Sequence, residues 1–474
     1  MSDTERIRVK DETPTNKGVK ADGSVSLYEA REHIHPKSIH GRFQRLRDLT
    51  VWITMGIYLV GPWLRWEGGQ AVLFDLPERQ FHIFGVTFMP QDFILLAFTL
   101  MVAAFALFFV TVFAGRVWCG YVCPQTTWTR FFTWIESKLE GDRNARLKLD
   151  KAPWTPRKIT RRGGKHVLWL ALALLTGLTF VGYFSPISDL TFRLFQFELG
   201  GWEAFWIGFF TLATYGNAGW MREQVCIYMC PYARFQSVMF DRDTLIVSYD
   251  EDRGEPRHRG AKRDRDESEF GDCIDCGLCV QVCPTGIDIR EGLQYECIHC
   301  AACIDACDSV MDHIGKPRGL IRYTTENALE GGQTNLLRPR LIGYGVALLV
   351  IIAALGGALW LRVPIELDVM RDRNQLYRTA SDGSIENTYT LRVVNKSQNA
   401  QVYDLSYRGP EGLEWNGPQH VAVGPGEQAS VAVTLGYDPF YDDLDTGTIW
   451  FGARARGNPK VKTEHESRFI TPGR

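Results

Sequence analysis

Eight of the twelve cysteines fall in two runs of one spacing. The first is Cys273-x2-Cys276-x2-Cys279-x3-Cys283, followed by Pro284; the second is Cys297-x2-Cys300-x2-Cys303-x3-Cys307. No other feature restricts the fold so tightly. Three cysteines two residues apart cannot all cross-link without strain, so structural disulfides fail on register. Zinc ribbons use paired CxxC knuckles separated by longer loops, which this pattern lacks. What fits is the spacing of a bacterial ferredoxin with two 4Fe–4S clusters, in which the fourth cysteine of each run ligates the other cluster. That rule groups Cys273, Cys276 and Cys279 with Cys307, and Cys297, Cys300 and Cys303 with Cys283. Soft thiolates hold iron strongly, and such clusters move single electrons. Asp308 stands where a second proline would follow, but proline is not a ligand.

The chain has 474 residues and a net charge of −2. It has room for several domains and no bulk attraction for nucleic acid, which is not expected as a partner. Stretches near 48–65, 90–114, 166–186, 201–220 and 341–361 are apolar enough to cross a bilayer at about 20 residues per span. The fourth is the least apolar, carrying Glu203 and Asn217. The first follows a charged arm well inside the chain and does not read as a signal peptide. Lysine and arginine crowd the loop between the second and third spans, from Arg130 to Lys165, whereas only Arg193 lies between the third and fourth. Together with Arg42, Arg45, Arg47, Arg222, Arg234, Arg338 and Arg340, this alternation puts the N-terminus and the cysteine runs inside and the C-terminus outside.

The predicted architecture is therefore multi-domain. It comprises an N-terminal cytoplasmic arm (1–47), a four-span α-helical membrane domain (48–249) and a charged linker (250–270). A two-cluster ferredoxin-like module (271–325), a segment carrying the fifth span (326–362) and an outer domain (363–474) complete it. The outer segment has no cysteine, compatible with an oxidising compartment. Short β-prone runs such as Tyr389–Val394, Val431–Leu435 and Thr448–Phe451 are separated by turn residues at sandwich spacing, predicting an immunoglobulin-like domain of about seven strands. It shows no catalytic constellation, so partner contact is its expected role.

The other four cysteines repeat a motif. Cys119-Gly-Tyr121-Val-Cys123-Pro124 follows the second span, and Cys226-Ile-Tyr228-Met-Cys230-Pro231 follows the fourth, with Arg116 and Arg222 just upstream. If helices continue into the motifs, each pair of thiols shares a face; proline should end them there. Four thiols at one membrane face suit a soft monovalent metal such as Cu(I), with thioethers from Met221 and Met229 available. Another metal or an additional iron–sulfur centre is the second possibility, and plain buried cysteine the third.

Other signals are weaker. Tryptophans around the spans, Trp52, Trp63 and Trp66 among them, read as interface anchors. His82 and His166 lie near span edges and do not make the facing pairs that a transmembrane haem needs. His299 sits inside the second cysteine run, placed to tune it. His33, His35 and His40 form a short cluster, read as solvated in preference to metal-binding. No G-x-G-x-x-G follows a strand and no P-loop appears, so no nicotinamide or flavin site is expected.

With these residues in view, the chain resembles the CcoG/FixG/RdxA family of cytochrome c oxidase accessory proteins. The resemblance rests on Gly115–Gln125, Cys226–Pro231 and Asp272–Asp308, and extends through the basic entry Pro36–Arg47, the five-span layout and the outer β domain. It implies a bacterial inner-membrane protein that takes part in assembling a cbb-type cytochrome c oxidase and reduces Cu(II) to Cu(I) for delivery to it. By matching position, the eight ferredoxin cysteines would hold two 4Fe–4S clusters. Cys119, Cys123, Cys226 and Cys230 would serve as the catalytic, copper-binding residues, with copper as substrate or bound ion. Expected partners are the oxidase assembly machinery, an unidentified cytoplasmic electron donor and membrane lipid. A quinol-linked electron conduit and a non-catalytic copper chaperone or scaffold are the competing expectations.

Overall fold

The computed structural model describes residues 33–66, 68–258, 270–372, 375–397, 399–438 and 446–471. Residues 1–32 of the expected arm and 259–269 of the expected charged linker lie outside them. The chain forms two compact units. One comprises Met1–Gly61, Leu100–Gly182 and Ile187–Ile352; the other comprises Pro62–Thr99, Tyr183–Pro186 and Ala353–Arg474.

Among the described residues, three helices are long and apolar enough to cross a membrane: Phe93–Ala114, Pro156–Val181 and Pro339–Trp360. The first and last fall within a few residues of the expected stretches. The second starts ten residues before its expected span because cations extend it. Lys158 Nζ donates to the carbonyls of Asp150 and Ala152 at 3.1 and 2.6 Å, and Lys165 is paired below. The expected first span lies largely in the helix Arg42–Val60, whose opening turns carry Arg42, Arg45, Arg47 and Asp48. The expected fourth is an α-helix, Gly201–Thr214, that passes into a π-helix, Tyr215–Met221.

Packing in this unit depends on close approach. A methyl group on Gly177 would lie 2.7 Å from the Ile207 carbonyl oxygen, so glycine lets Pro156–Val181 press against Gly201–Thr214. On the other flank Phe132, Ile135, Trp169, Ala173 and Ala218 form a buried cluster, and Trp169 Nε1 donates to the Phe132 carbonyl at 3.0 Å. The cysteine-rich segment is bracketed by two antiparallel strands, Ile246–Tyr249 and Ile321–Thr324, with the helices Leu278–Val282 and Ala302–Ile314 between them.

The second unit holds the C-terminal domain as two antiparallel sheets. Leu413–Asn416, Gln428–Tyr437, Ile385–Asn395 and Ile365–Arg371 make one, with Arg378–Thr379 beside Ile385–Asn395. His420–Val423, Gln401–Arg408, Gly447–Ala455 and Lys462–Phe469 make the other. Inward residues alternate along the strands, as in a sandwich, and Tyr389, Leu391, Val433, Leu435, Ile449, Phe451 and Phe469 are buried between the sheets. The loop after the expected first span contributes a small sheet that hydropathy does not signal: Val72–Asp75, Gln80–Ile83 and Val86–Phe88. In the same unit Asp92 pairs with Arg362 at 2.9 Å and with Lys396 at 3.0 Å.

Candidate electron-transfer and thiol site

The structure divides the eight ferredoxin cysteines between two small cavities. Cys273, Cys276, Cys279 and Cys307 line one; Cys283, Cys297, Cys300 and Cys303 line the other, which Cys279 also borders. Each run-and-partner set thus brings four cysteines to one cavity, all but the exposed Cys276 buried or half-buried, which fits the donor set of a 4Fe–4S cluster. Left-handed backbone at Asp275, Gly277, His299 and Ala301 turns the chain tightly between ligand positions. Burial pushes the Cys307 thiol up to about 12, with Cys279 and Cys273 adding to it. Burial favours the neutral thiol, so a thiolate here needs a cation beside it, which bound iron would supply.

The repeated motifs do not continue their preceding helices. Phe93–Ala114 stops, Gly115 takes φ +58°, and a short helix, Val117–Tyr121, carries Cys119. In the second copy Arg222, at φ +44°, separates the π-helix Tyr215–Met221 from another, Val225–Met229. Each proline instead opens the next helix, Pro124–Glu140 or Pro231–Met239, from its first position. The expected shared face of an α-helix is therefore replaced in the second copy by π-geometry, with Cys230 N–H donating to Val225 O at 2.8 Å. π-Helical turns are rare and concentrate at functional sites.

The four thiols of the motifs are brought together. Cys119 lies in the field of Cys123, Cys226 and Cys230; burial, then Cys123, pushes its thiol up to about 12. Cys226 is raised to about 12 by burial and then by Cys123 and Cys230. Gln125 ties the copies together, its Nε2 donating to the carbonyls of Asn217 and Arg222 at 2.9 and 3.1 Å. Among the described residues, no three of these sulfurs lie within 4.8 Å of one another. Four thiolates on one zinc-sized ion, with metal–sulfur bonds of about 2.3 Å, would sit closer than that.

The quartet abuts the second cysteine run. Cys119 packs with Val282, Ile298, Cys300, Ala302 and Ala306. A methyl group on Gly120 would meet Ile298 O at 2.7 Å and Cys300 Cα at 2.9 Å. The Arg116 N–H donates to His299 Nδ1 at 3.0 Å, while its guanidinium donates to the carbonyls of Tyr295 and Ala233. Burial, then Arg116, brings His299 down to about 3, so it is a neutral imidazole. Tyr323 donates to His299 O at 2.5 Å, and its hydroxyl is 3.4 Å from that of Tyr121. The equivalent arginine does different work: Arg222 Nη2 pairs with Glu136 at 3.0 Å.

Sequence reasoning missed that carboxylate. Glu136, fully buried, also binds Arg146 Nη1 at 3.0 Å and Lys165 Nζ at 3.4 Å. Helical amphipathicity alone carries no signal for it, because its partners come from three other segments. His33 and His35 meet Glu136 rather than His40, their ligand atoms within 4.8 Å of one another. Glu136 is already committed to three cations, and His35 Nε2 lies 2.8 Å from Asp150, so the group has little acceptor capacity left for a metal ion.

The cluster segment is anchored to the helix Arg42–Val60 through Asp305, whose carboxylate accepts from the N–H groups of Phe43 at 3.2 Å and Gln44 at 2.6 Å. A carboxylate there satisfies orphan donors and complements the helix dipole. Replacing Asp305 with Ala is expected to cost about 1–2 kcal/mol, seen as a lower midpoint in thermal unfolding with iron content unchanged before the transition.

Three family models match this chain. Residues 221–326 match a 4Fe-4S dicluster domain, 96–141 a 4Fe-4S binding domain, and 355–472 the IG-like fold at the C-terminal of FixG, described as a putative oxidoreductase. Nitrogen fixation protein FixG of Rhizobium meliloti is 41% identical, over 81% of this chain and 80% of its own length. Protein RdxA of Cereibacter sphaeroides is 44% identical, over 82% of this chain and 85% of its own. A crystal structure of a FixG-related protein from Vibrio parahaemolyticus covers 23% of this chain and 95% of its own, at 41% identity and a TM-score of 0.21.

Proposed function

This chain belongs to the FixG/RdxA family of iron–sulfur redox proteins, and from that premise we propose that it is a membrane-bound cupric reductase serving assembly of a cbb-type cytochrome c oxidase. The observation that carries the reading is the contact of the thiol quartet with the second cysteine run, through Cys119 and Gly120. Cys273, Cys276, Cys279 and Cys307 would hold one 4Fe–4S cluster, and Cys283, Cys297, Cys300 and Cys303 the other. Bound clusters supply one-electron chemistry. Each Cu(II) accepts one electron, originating in a cytoplasmic donor, and becomes Cu(I). Cys119, Cys123, Cys226 and Cys230 bind the copper, and soft sulfur favours the cuprous product. Arg116 and Gln125 hold the two motifs in place. In this reading five segments cross a bacterial inner membrane, with the N-terminus and ferredoxin module cytoplasmic and residues 363–474 periplasmic. The alternation of basic loops supports that orientation.

Stopped-flow mixing of chemically reduced, cluster-loaded protein with Cu(II) is the test. Re-oxidation by Cu(II) is expected; its absence ends the cupric reading, and rapid oxidation by a quinone analogue instead would assign a quinol-linked conduit. If neither reacts while copper still binds, the protein is a chaperone or scaffold. Cys119→Ser with Cys123→Ser is expected to weaken copper binding at least about tenfold, a loss of about 1.4 kcal/mol, with iron–sulfur absorbance retained. The match of 96–141 to a 4Fe-4S binding domain and the wide sulfur spacing favour a second reading of the quartet as an additional iron–sulfur centre. Iron analysis separates the two, with about eight iron atoms per chain for two clusters and about twelve for three.

A further inference from the structure

We propose that the basic cavity beside Cys226 binds the phosphate headgroup of an acidic membrane lipid. The cavity, of about 440 Å³, is walled by Ile34 and residues 36–40, the helices Arg42–Val60 and Pro124–Glu140, and Val282, Pro284 and Thr285. Its cations exceed its acids. Arg130 is answered by Asp48 at 2.9 Å, and Arg146 and Arg222 are engaged by Glu136. Asp142, also in the wall, accepts from the Ser38 N–H at 3.0 Å, and Glu223 is the remaining acid there. Lys37, Arg47 and Lys138 have no ion pair among the described residues. Arg47 is the most telling: only 6% exposed, it donates from Nη1 to Gln44 Oε1 at 3.2 Å and pairs with no carboxylate among the described residues. A buried guanidinium without a counter-ion is costly, and an oxyanion in the cavity would offset that cost.

The apolar surroundings select a lipid. A second cavity of about 130 Å³ shares Asp48, Arg130 and Trp134 with the first and is otherwise lined by Val51, Trp52 and Phe131. Along the same helix Leu49, Trp52, Ile53 and Ile57 are exposed, which a protein in water would avoid and a bilayer would cover. A charged headgroup pocket therefore continues into an apolar groove of the kind that an acyl chain fills. Basic pockets between membrane helices on the cytoplasmic side take such headgroups. Cys226 and Thr285, the latter two residues beyond Cys283, are both in the wall. The occupant thus borders the thiol quartet and the second cluster cavity. The inference rests on the membrane reading and is independent of copper.

Native mass spectrometry of the full-length, cluster-loaded protein, titrated with phosphatidylglycerol, phosphatidylcholine or inorganic phosphate, tests it. Preferential binding of phosphatidylglycerol is expected, weakened about fivefold by Arg47→Gln and about fivefold by Lys138→Gln, with iron content unchanged. Lys138 lies at a helix end near solvent, so its variant should fold even if the Arg47 variant does not. Equal binding of the two lipids, or no loss in the Lys138 variant, would overturn the proposal. Displacement of the lipid by millimolar inorganic phosphate would also overturn it and assign the cavity to a free anion.

Discussion

Gly120→Ala is expected to uncouple the thiol quartet from the second cysteine run and to shed iron from it. The added methyl would stand 2.7 Å from Ile298 O, 2.9 Å from Cys300 Cα and 3.0 Å from Cys300 N. All three are backbone atoms, so no rotamer change relieves the clash; the loop between Cys297 and Cys300 must move. Overpacking of this kind costs about 1–3 kcal/mol, and here it falls on a ligand loop whose left-handed residues His299 and Ala301 leave little room for adjustment. Lower iron per chain and a weaker iron–sulfur absorbance should appear together, and, on the cupric reading proposed above, a slower re-oxidation by Cu(II) with them. Gly208→Ala is the control: it also sits in a helix, but nothing among the described residues outside its own helix backbone lies within 4 Å of the added methyl. That variant should match or slightly exceed the parent in stability, because alanine is the better helix former by about 1 kcal/mol. If Gly120→Ala keeps full iron and full rate, the contact does not govern the site.

Glu136→Gln is expected to destabilise the helical unit by about 3–5 kcal/mol, the cost of leaving buried cations without their counter-charge. Arg146, Arg222 and Lys165 are themselves almost completely buried, and among the described residues only Lys165 of the three pairs with a second carboxylate, Glu140 at 2.8 Å. Thermal unfolding in detergent should show the loss directly. The pH dependence carries an independent sign. Burial would raise the Glu136 carboxyl, but Arg222, then Lys165 and Arg146, overcome it and hold the group at about 2 against an ordinary 4.5. A carboxyl depressed in the folded state contributes fully above its unfolded value and loses that contribution as pH falls towards the folded one. The parent should therefore lose stability between pH 4.5 and about 2, and the glutamine variant should lack that component. An unchanged acid limb in the variant would show that Glu136 is not the charge on which these helices close.

Much of the candidate site was legible because its spacing is local. A loop that presents cysteines at x2-x2-x3 intervals is described by its own sequence, and the second run needs only a partner loop of the same design. The apolar stretches 90–114 and 341–361 were legible as helices for a similar reason: each is apolar nearly throughout, and the helices Phe93–Ala114 and Pro339–Trp360 follow the hydropathy closely. The helix Pro156–Val181 was only partly legible. Its first turns carry Lys158, Arg161, Arg162 and Lys165, which hydropathy counts as loop, whereas Asp150, Ala152 and Glu136 supply partners that let the helix extend through them. The strand pattern of the C-terminal domain was readable from alternation, but the small sheet at 72–88 was not, being short and half-buried.

By itself, then, the sequence determined the ligand types, their spacing in two loops, the most apolar helices and the sandwich, all set within a few turns of chain. Tertiary structure alone decided that Gly120 lies on the backbone of Ile298 and Cys300, that one buried carboxylate gathers three cations, and that four thiols from two motifs over a hundred residues apart come together. Those relations join segments remote in sequence. Their cause is close packing, in which the absence of a single methyl group, or one charge placed among three, fixes which surfaces can meet.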